Sequence, residues 1–357
     1  MRYWWICIGS IAAVLLASPA TAREEPFGQE TVEVRPWRNP PRPDAAPRHR
    51  HRHSGGHRHA PGHAHKHIHE TLHRHPPGAH RHSHKHGERN GHAHHGLETE
   101  HLFGFTRGSD IDPVGSRHFI ADFSGRFGKQ TGSYAAKTLH LEYAFTPWRD
   151  FHVGLGASFA AHNISGVEGF EDRRQAAFEG LSMETRYRLL DRAQAPFGLT
   201  IIAEPHWARL DEASGERADK FAFEFTLAVD RELIKDRLYG AINLIYEPEW
   251  VRLKQTGEIE RESAIGISLA GMTSITPSIF VGGEIRYLRS YEGLALSTFA
   301  GEALFLGPVL FANLNDKLTL IAAYSAQVAG RAAGGSGLLD LENFERHRGK
   351  LKAVINF

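Results

Sequence analysis

Residues 117–357 alternate between apolar and polar side chains with a period of two, and this pattern limits the fold more than any other feature of the chain. In Phe221–Val229, for example, phenylalanine, leucine and valine occupy the odd positions, and alanine, glutamate and threonine occupy the even ones. Such alternation places the two sets of side chains on opposite faces of a β-strand. Twelve segments of this kind follow one another, near 117–127, 134–145, 151–161, 176–190, 197–208, 220–230, 237–250, 260–273, 278–290, 297–311, 317–329 and 345–357.

The connections between these segments alternate in length. Five are short: Thr146–Asp150, Asp191–Pro196, Arg231–Asp236, Ser274–Pro277 and Ala312–Asp316. Others are longer, such as His162–Gln175, Arg209–Asp219 and Gly330–Phe344. An even number of strands, with short periplasmic turns and longer outer loops, is typical of barrels in the outer membrane of Gram-negative bacteria. The pattern predicts an all-β fold, an antiparallel transmembrane β-barrel of twelve strands over residues 117–357, with both termini in the periplasm.

The end of the chain carries a second indication of the same fold. Phe357 is the last residue, and Leu351, Ala353 and Ile355 precede it at two-residue steps. This arrangement is typical of the signal that outer-membrane barrels present to the barrel-assembly machinery, so we expect that machinery and outer-membrane lipid as partners. A soluble, secreted β-sandwich or barrel is the alternative. Its strands would typically have about 5–6 residues, fewer than these segments contain.

The first 22 residues have the composition of a signal peptide. Arg2 supplies a positive charge, Ile6–Leu16 is apolar, and Ala20-Thr21-Ala22 provides the small residues of a cleavage site before Arg23. An uncleaved membrane anchor is the alternative, although a spanning helix needs roughly 20 apolar residues. Cys7 is the only cysteine, so the mature chain is expected to hold neither a disulfide nor a thiolate metal site.

Residues 23–100 form an arm rich in proline and histidine, for which we predict disorder in the absence of metal. The arm has almost no large aliphatic residues, so ordering it would cost backbone entropy without burying apolar surface. It contains 18 of the 25 histidines: His49, His51, His53, His57, His59, His63, His65, His67, His69, His73, His75, His80, His82, His84, His86, His92, His94 and His95.

Most of these histidines occur as His-x-His, which lets neighbouring imidazoles of an extended chain reach one ion. Imidazole without thiolate suits Zn²⁺, Ni²⁺, Co²⁺ or Cu²⁺. The arm is therefore predicted to bind such ions loosely, without any of them being an obligatory cofactor. Two alternatives remain open. The arm is a neutral low-complexity expansion, or it is an electrostatic tether to anionic lipid or cell-wall polymer, strengthened as its histidines become charged below about pH 6.5.

The polar faces of the predicted strands point into the barrel. Eight charged or ionisable residues are expected to line the lumen: Glu142, Glu184, Arg186, Glu204, His206, Glu224, Glu284 and Arg286. They would form structural ion pairs, or a pore lining that selects a solute or cation. Residues 101–116 precede the first strand as a periplasmic lead-in or plug, with Phe103–Asp112 apolar enough to pack inside the barrel. Neither a nucleophile–base arrangement nor a nucleic-acid site stands out, so an enzyme is not expected.

The barrel region resembles a known group of proteins. The stretches Leu102–Ile111, Glu302–Pro308 and Asn343–His347 are similar to those of proteobacterial outer-membrane channels grouped with the MetA-pathway phenol-degradation family. The resemblance covers residues from about 102 to 357 and does not include the arm. It implies a channel that passes small hydrophobic or aromatic compounds.

Three functions are compatible with these patterns. The first is an outer-membrane channel whose periplasmic arm captures divalent transition metal, for transport or for transfer to a periplasmic metal-binding protein. The second is a passive channel for small hydrophobic or aromatic solutes, in which the arm is incidental. The third is a structural envelope protein with a closed barrel.

The arm hypothesis gives the first testable prediction. A peptide of residues 48–95 should bind Zn²⁺ and Ni²⁺ in the micromolar range, measured by titration calorimetry, because paired imidazoles chelate these ions. The same peptide with every histidine replaced by asparagine is the control. Absence of heat at micromolar metal would remove metal capture by the arm.

Overall fold

The computed structural model describes residues 54–59, 63–68, 97–254 and 257–357. The predicted signal peptide and most of the arm, with most of its histidines, lie outside the described residues. Within the arm, strands β1 (Ser54–His59) and β2 (His63–Ile68) pair antiparallel as a hairpin. The linker Ala60-Pro61-Gly62 has a composition that favours chain reversal.

Twelve further strands form the barrel. They are β3 (Arg117–Phe127), β4 (Ser133–Trp148), β5 (Phe151–Ser165), β6 (Arg173–Leu190), β7 (Gly198–Leu210), β8 (Arg217–Ile234), β9 (Leu238–Leu253), β10 (Ile259–Thr276), β11 (Ile279–Glu292), β12 (Thr298–Asn315), β13 (Leu318–Ala332) and β14 (His347–Asn356). Each pairs antiparallel with its neighbour in the chain, and β14 pairs with β3 to close the barrel. The prediction of a twelve-stranded antiparallel β-barrel is confirmed.

The strands are longer than predicted at the ends that meet in short turns. Thr146–Trp148 belongs to β4 and Arg231–Ile234 to β8, although the sequence assigns both to turns. In the same way, 274–276 belongs to β10 and 312–315 to β12. The reason is that the backbone ladder continues until only a few residues remain to reverse the chain. Pairing of Trp148 with Phe151 leaves a two-residue turn, in which Asp150 adopts a φ of 62°.

The two ends of the barrel differ in their connections. One end, here called the turn end, contains the connections 149–150, 191–197, 235–237, 277–278 and 316–317, as well as Arg117 and the final residue, Phe357. The opposite end, the loop end, contains 128–132, 166–172, 211–216, 254–258, 293–297 and 333–346. None of the described residues forms a helix long and apolar enough to cross a membrane.

The two faces of the barrel wall have opposite character. Large apolar side chains are exposed on the outer face of successive strands, as Leu139, Leu155 and Leu244 illustrate. Exposed aromatic residues lie towards both ends, with Trp148 at the turn end and Trp250 at the loop end. The inner face is buried and carries many charged groups. Apolar side chains therefore face outward and charged ones inward, which is the reverse of the arrangement in a soluble protein.

Candidate functional site

A segment that precedes the barrel in sequence lies inside it. This plug segment, residues 97–112, inserts Leu102 and Phe103 into an apolar cluster with Tyr239, Phe280 and Phe311 near the turn end. It begins earlier than the predicted lead-in at 101–116, because residues 97–100, assigned to the arm, include the buried Thr99 and Glu100. Residues 113–116 lead from the plug segment to β3 and are largely exposed.

Glycine lets the plug segment approach the wall. A Cβ atom at Gly104 would lie 2.5 Å from Ala323 Cβ and 3.1 Å from a methyl group of Val309. Such distances are shorter than side chains tolerate, so a larger residue would push the segment away from β12 and β13. Gly104 in the stretch Leu102-Phe103-Gly104-Phe105 therefore lies between bulky residues at the point where the backbone of the plug segment is close to side chains of the wall.

Glu284 on β11 anchors the backbone of the plug segment. Its carboxylate accepts hydrogen bonds from the amides of Gly104 (3.1 Å), Phe105 (2.9 Å) and Thr106 (2.9 Å). These amides belong to no helix or strand, so they need another acceptor once they are buried. A buried carboxylate in turn needs donors, and three amides supply them. The amides and the carboxylate thus offset the free-energy cost of removing each other from water.

Arg107 is the charged centre of the plug segment. Its guanidinium pairs with Glu184 on β6, with Glu204 on β7 at 2.9 Å and with Glu224 on β8 at 3.4 Å. Its backbone is held by the next strand of the barrel, where Asn243 on β9 accepts from the amide at 2.8 Å and donates to the carbonyl at 2.7 Å. One residue therefore connects four consecutive strands of the wall.

The remainder of the plug segment is fixed by β6, β7 and β8. Arg186 donates to the carbonyl oxygens of Gly108 (2.6 Å) and Asp110 (3.3 Å). The amide of Ser109 donates to Asp230 at 2.6 Å, and Thr200 donates to the carbonyl of Ser109 at 2.5 Å. The contacts continue along the segment, so it is a packed part of the barrel and not a loose tail.

The structure brings most of the predicted lumen residues to the plug segment. Glu184, Arg186, Glu204, Glu224 and Glu284 contact it through the hydrogen bonds and ion pairs above. Arg286 lies 3.9 Å from the ring centre of Phe105 and donates to Ser325 at 2.6 Å. Glu142 is buried 3.4 Å from His140, and His206, only partly buried, lies 3.9 Å from Glu204.

A chamber of about 240 Å³ lies inside the barrel, with Arg107 in its lining. Its lining carries both signs of charge, with Asp122 and Glu247 among the carboxylates and Lys220 and Lys350 among the ammonium groups. His140 and His206 also line it. Lys220 pairs with Glu249 at 2.6 Å, and Lys350 pairs with Asp122 at 2.9 Å. The chamber lining therefore combines charged groups of both signs with apolar side chains such as Phe105.

Loops fold inward at the loop end. Ala213 from the 211–216 loop and Phe344 from the 333–346 loop pack with the inward-facing Ile245 and Phe305. Lys129 donates to the carbonyls of residues 342 (3.0 Å) and 344 (3.3 Å). Burial lowers the pKa of the Lys129 ammonium well below its ordinary value. The chamber is thus bordered by the plug segment on one side and by these loops on the other.

Several of these residues are absent from the sequence-predicted set. Lys220, Glu247 and Glu249 lie on the inner face at alternate positions of their strands, so the two-residue alternation that predicts Glu224 could have found them. Arg107 carries no such signal, because the plug segment has no periodic pattern. The arm histidines predicted to bind metal lie outside the described residues or, within β1 and β2, have no described side chains.

Comparison with known sequences identifies a family. Residues 95–357 match a family described as a family of unknown function, DUF6662. The chain belongs to this family. The match includes the plug segment together with the whole barrel and excludes most of the arm. No curated protein matches the sequence.

Three solved structures illustrate what the chain resembles in three dimensions. The COG4313 outer membrane channel from Pseudomonas putida F1 is 12% identical, with a TM-score of 0.49, over 70% of this chain and 98% of that one. The NanC porin is 10% identical, with a TM-score of 0.41, over 66% and 100%. A TodX monoaromatic hydrocarbon channel mutant is 10% identical, with a TM-score of 0.36, over 73% and 97%.

The Glu284 anchor can be tested by proteolysis. Glu284→Ala removes the acceptor of three buried amides, each worth about 1.5–3 kcal/mol when bound to a charged group, and should release the plug segment. In the folded barrel, we expect trypsin to cut after Arg107 much faster than in the wild type, measured by mass spectrometry of the fragment beginning at Gly108. Glu302→Ala, which removes a partly exposed carboxylate on β12, is the control. Equal cleavage in both variants would contradict the anchoring role.

Proposed function

We propose that the protein is an outer-membrane channel for small polar or charged solutes, closed at rest by its own plug segment. The observation that carries this proposal is the chamber of about 240 Å³ inside the barrel, lined by charges of both signs and bordered by Arg107. A barrel built only as a structural element has no need for a chamber lined by charged groups. The plug segment and the inward-folded loops are the parts that would have to move for a solute to pass.

The membrane location is supported by the barrel wall. Closure of the sheet satisfies the backbone groups of every strand, which is a requirement for crossing hydrocarbon. Exposed leucines and other apolar side chains cover the outer face, with aromatic residues near both ends. In bacterial barrels the short turns face the periplasm. On that basis the turn end, with Phe357 and the start of β3, is assigned to the periplasm.

The solute class follows from the lining of the chamber. The lining includes Glu247 and two paired ammonium groups, Lys220 with Glu249 at 2.6 Å and Lys350 with Asp122 at 2.9 Å. A small solute that carries charge or several hydrogen-bonding groups can interact with these groups, whereas an apolar solute cannot. The volume is below the roughly 300–1,000 Å³ of typical small-molecule sites, so the solute is small. This differs from the hydrophobic or aromatic compounds that the sequence resemblance implies.

Capture of metal by the arm stays a separate proposal. Its support is the composition of residues 48–95, and none of the described side chains belongs to that stretch. Deleting these residues should lower metal accumulation under scarcity if the arm serves uptake. Unchanged accumulation and growth would count against it.

Channel closure by the plug segment predicts a change in conductance. Arg107→Ala removes three ion pairs at once and leaves Glu184, Glu204 and Glu224 facing one another, which should loosen the plug segment. In planar bilayers we expect low conductance for the wild type and clearly higher conductance for the variant. Arg331→Ala, which breaks an exposed ion pair with Glu302, should behave as the wild type.

Liposome swelling then identifies what passes through the loosened barrel. Small zwitterionic or charged solutes should enter faster than monoaromatic ones of similar size. Conductance near zero for both the wild type and Arg107→Ala would instead favour the second candidate, a closed structural barrel. That candidate is supported by the apolar cluster that packs the lumen around Phe103.

Membrane insertion predicts unequal effects of a charge on two exposed leucines. Leu155 lies on the outer face of β5, whereas Leu338 is 89% exposed in the 333–346 loop. Leu155→Arg should destabilise the barrel in lipid vesicles by about 2–4 kcal/mol if it sits near the bilayer midplane. Leu338→Arg should have little effect. Urea titration followed by heat-modifiable gel migration measures both, and similar values for the two variants would argue against a lipid-facing wall.

A further inference from the structure

Three imidazoles and two carboxylates meet where the plug segment enters the barrel. His118 on β3 stacks on His152 on β5, with ring centres 5.3 Å apart, and His101 packs edge-on against His118 at 5.2 Å. Glu100 Oε1 lies 3.7 Å from His152 Nδ1, and Asp112 Oδ2 lies 3.1 Å from His118 Nδ1. None of these residues belongs to the chamber lining, and the proposed solute channel assigns them no role.

Three of these groups are buried, and several of their polar atoms lack hydrogen bonds. The side chains of His118 and His152 are each 1% exposed, and that of Glu100 is 2% exposed. In the described part of the chain, no hydrogen bond reaches Glu100 Oε2, His118 Nε2 or His152 Nδ1. Leaving a buried polar atom in this state is costly, because nothing replaces the hydrogen bonds that it would make with water. Several in one place indicate that a ligand completes the cluster.

We propose that Glu100, His118 and His152 bind a divalent transition metal ion. Their donor atoms lie within 4.8 Å of one another. Around a tetrahedral ion with bonds of about 2.0–2.2 Å, donors lie roughly 3.3–3.6 Å apart, so a side-chain shift of about an ångström forms the site. Two imidazoles and a carboxylate are an established ligand set for Zn²⁺, and the same donors accept Co²⁺, Ni²⁺ and Cu²⁺.

The surroundings of the cluster fit this assignment. A metal-binding imidazole commonly donates its other N–H group to a carboxylate, which fixes the orientation of the ring. Asp112, close to Nδ1 of His118, is placed for this role and leaves Nε2 for the ion. Arg186 lies 3.4 Å from Glu100 Oε1, and neither carboxylate oxygen of Glu100 accepts a hydrogen bond from a described residue.

The neighbouring carboxylates offset the charge of Arg186. Glu184 lies 3.7 Å from Arg186, and together with Glu142 and His152 it forms a second group of converging donor atoms. A divalent ion would therefore enter a region in which carboxylates, and not only cations, surround it. This counts against the objection that Arg186 alone excludes a metal ion.

The origin of the ligands gives the site a structural consequence. Glu100 belongs to the plug segment, whereas His118 and His152 belong to the barrel wall. A bound ion would fasten the plug segment to β3 and β5. Only this consequence rests on the proposed function, because it treats the plug segment as the closing element. The metal site itself does not depend on solute passage.

The test must separate this site from the arm, whose histidines also chelate metal. We therefore use the full-length chain with all 18 arm histidines replaced by asparagine as the parent, folded in detergent. Titration with Co²⁺, followed by visible absorption, and with Zn²⁺, followed by calorimetry, should each show roughly one ion per chain. In the parent background, His118→Ala and His152→Ala should weaken binding by more than the roughly 10–100-fold caused by outer-shell changes.

Two further variants make the result decisive. His162→Ala removes another buried histidine of β5, outside the cluster, and should bind as the parent does. Glu100→Gln keeps the size of the side chain, so it reports on the ligand even if a histidine variant fails to fold by heat-modifiable gel migration. Parent chains that bind no ion at micromolar metal would overturn the proposal. So would undiminished binding in folded His118→Ala, His152→Ala and Glu100→Gln.

Discussion

Closing a sheet into a narrow barrel forces the inner side chains of every strand to find partners within the lumen. In this chain those side chains include Glu184, Glu204 and Glu224, which three consecutive strands direct towards the same point. Like charges so close together and away from water would repel one another strongly. Arg107 resolves the conflict by placing one guanidinium among all three. The wall and the plug segment therefore depend on each other, because each contains buried charge that the other helps to balance.

The sequence predicts the wall better than it predicts the plug segment. Alternation with period two reports directly on which side chains face inward, so Glu184 and Arg186 on β6 are found without knowledge of any contact. Strand ends are predicted less well, because Thr146–Trp148 reads as a turn by composition, yet continues the backbone ladder. The plug segment has no periodic sequence pattern and forms no backbone hydrogen-bond ladder with a strand. Its position depends on tertiary contacts such as Glu284 with three successive amides, which no local pattern encodes.

The histidine cluster is a second feature that no local sequence pattern predicts. His118 and His152 are far apart in sequence, and strand register decides their proximity. His118 pairs with Ala144, and Ala144 pairs with Gly154, so the position between the two histidines on the wall carries only small residues. A large side chain at Ala144 would fill the space in which the rings stack. Composition draws attention to the arm, with its 18 histidines, whereas His118 and His152 carry no compositional signal at all.

The order of the elements along the chain adds a last constraint on mechanism. The histidine-rich arm is followed by Glu100 at the proposed metal site, and then by Arg107 beside the chamber. An ion that binds only when Glu100 is docked on the wall would stabilise the docked state by mass action, by an amount that grows with metal concentration. Metal binding would then favour the docked plug segment, whereas solute passage would require its displacement. The two would act on the same segment in opposite directions. A loose reservoir of metal on the arm would make that balance depend on metal supply, so the arm need not be a transport route to affect transport.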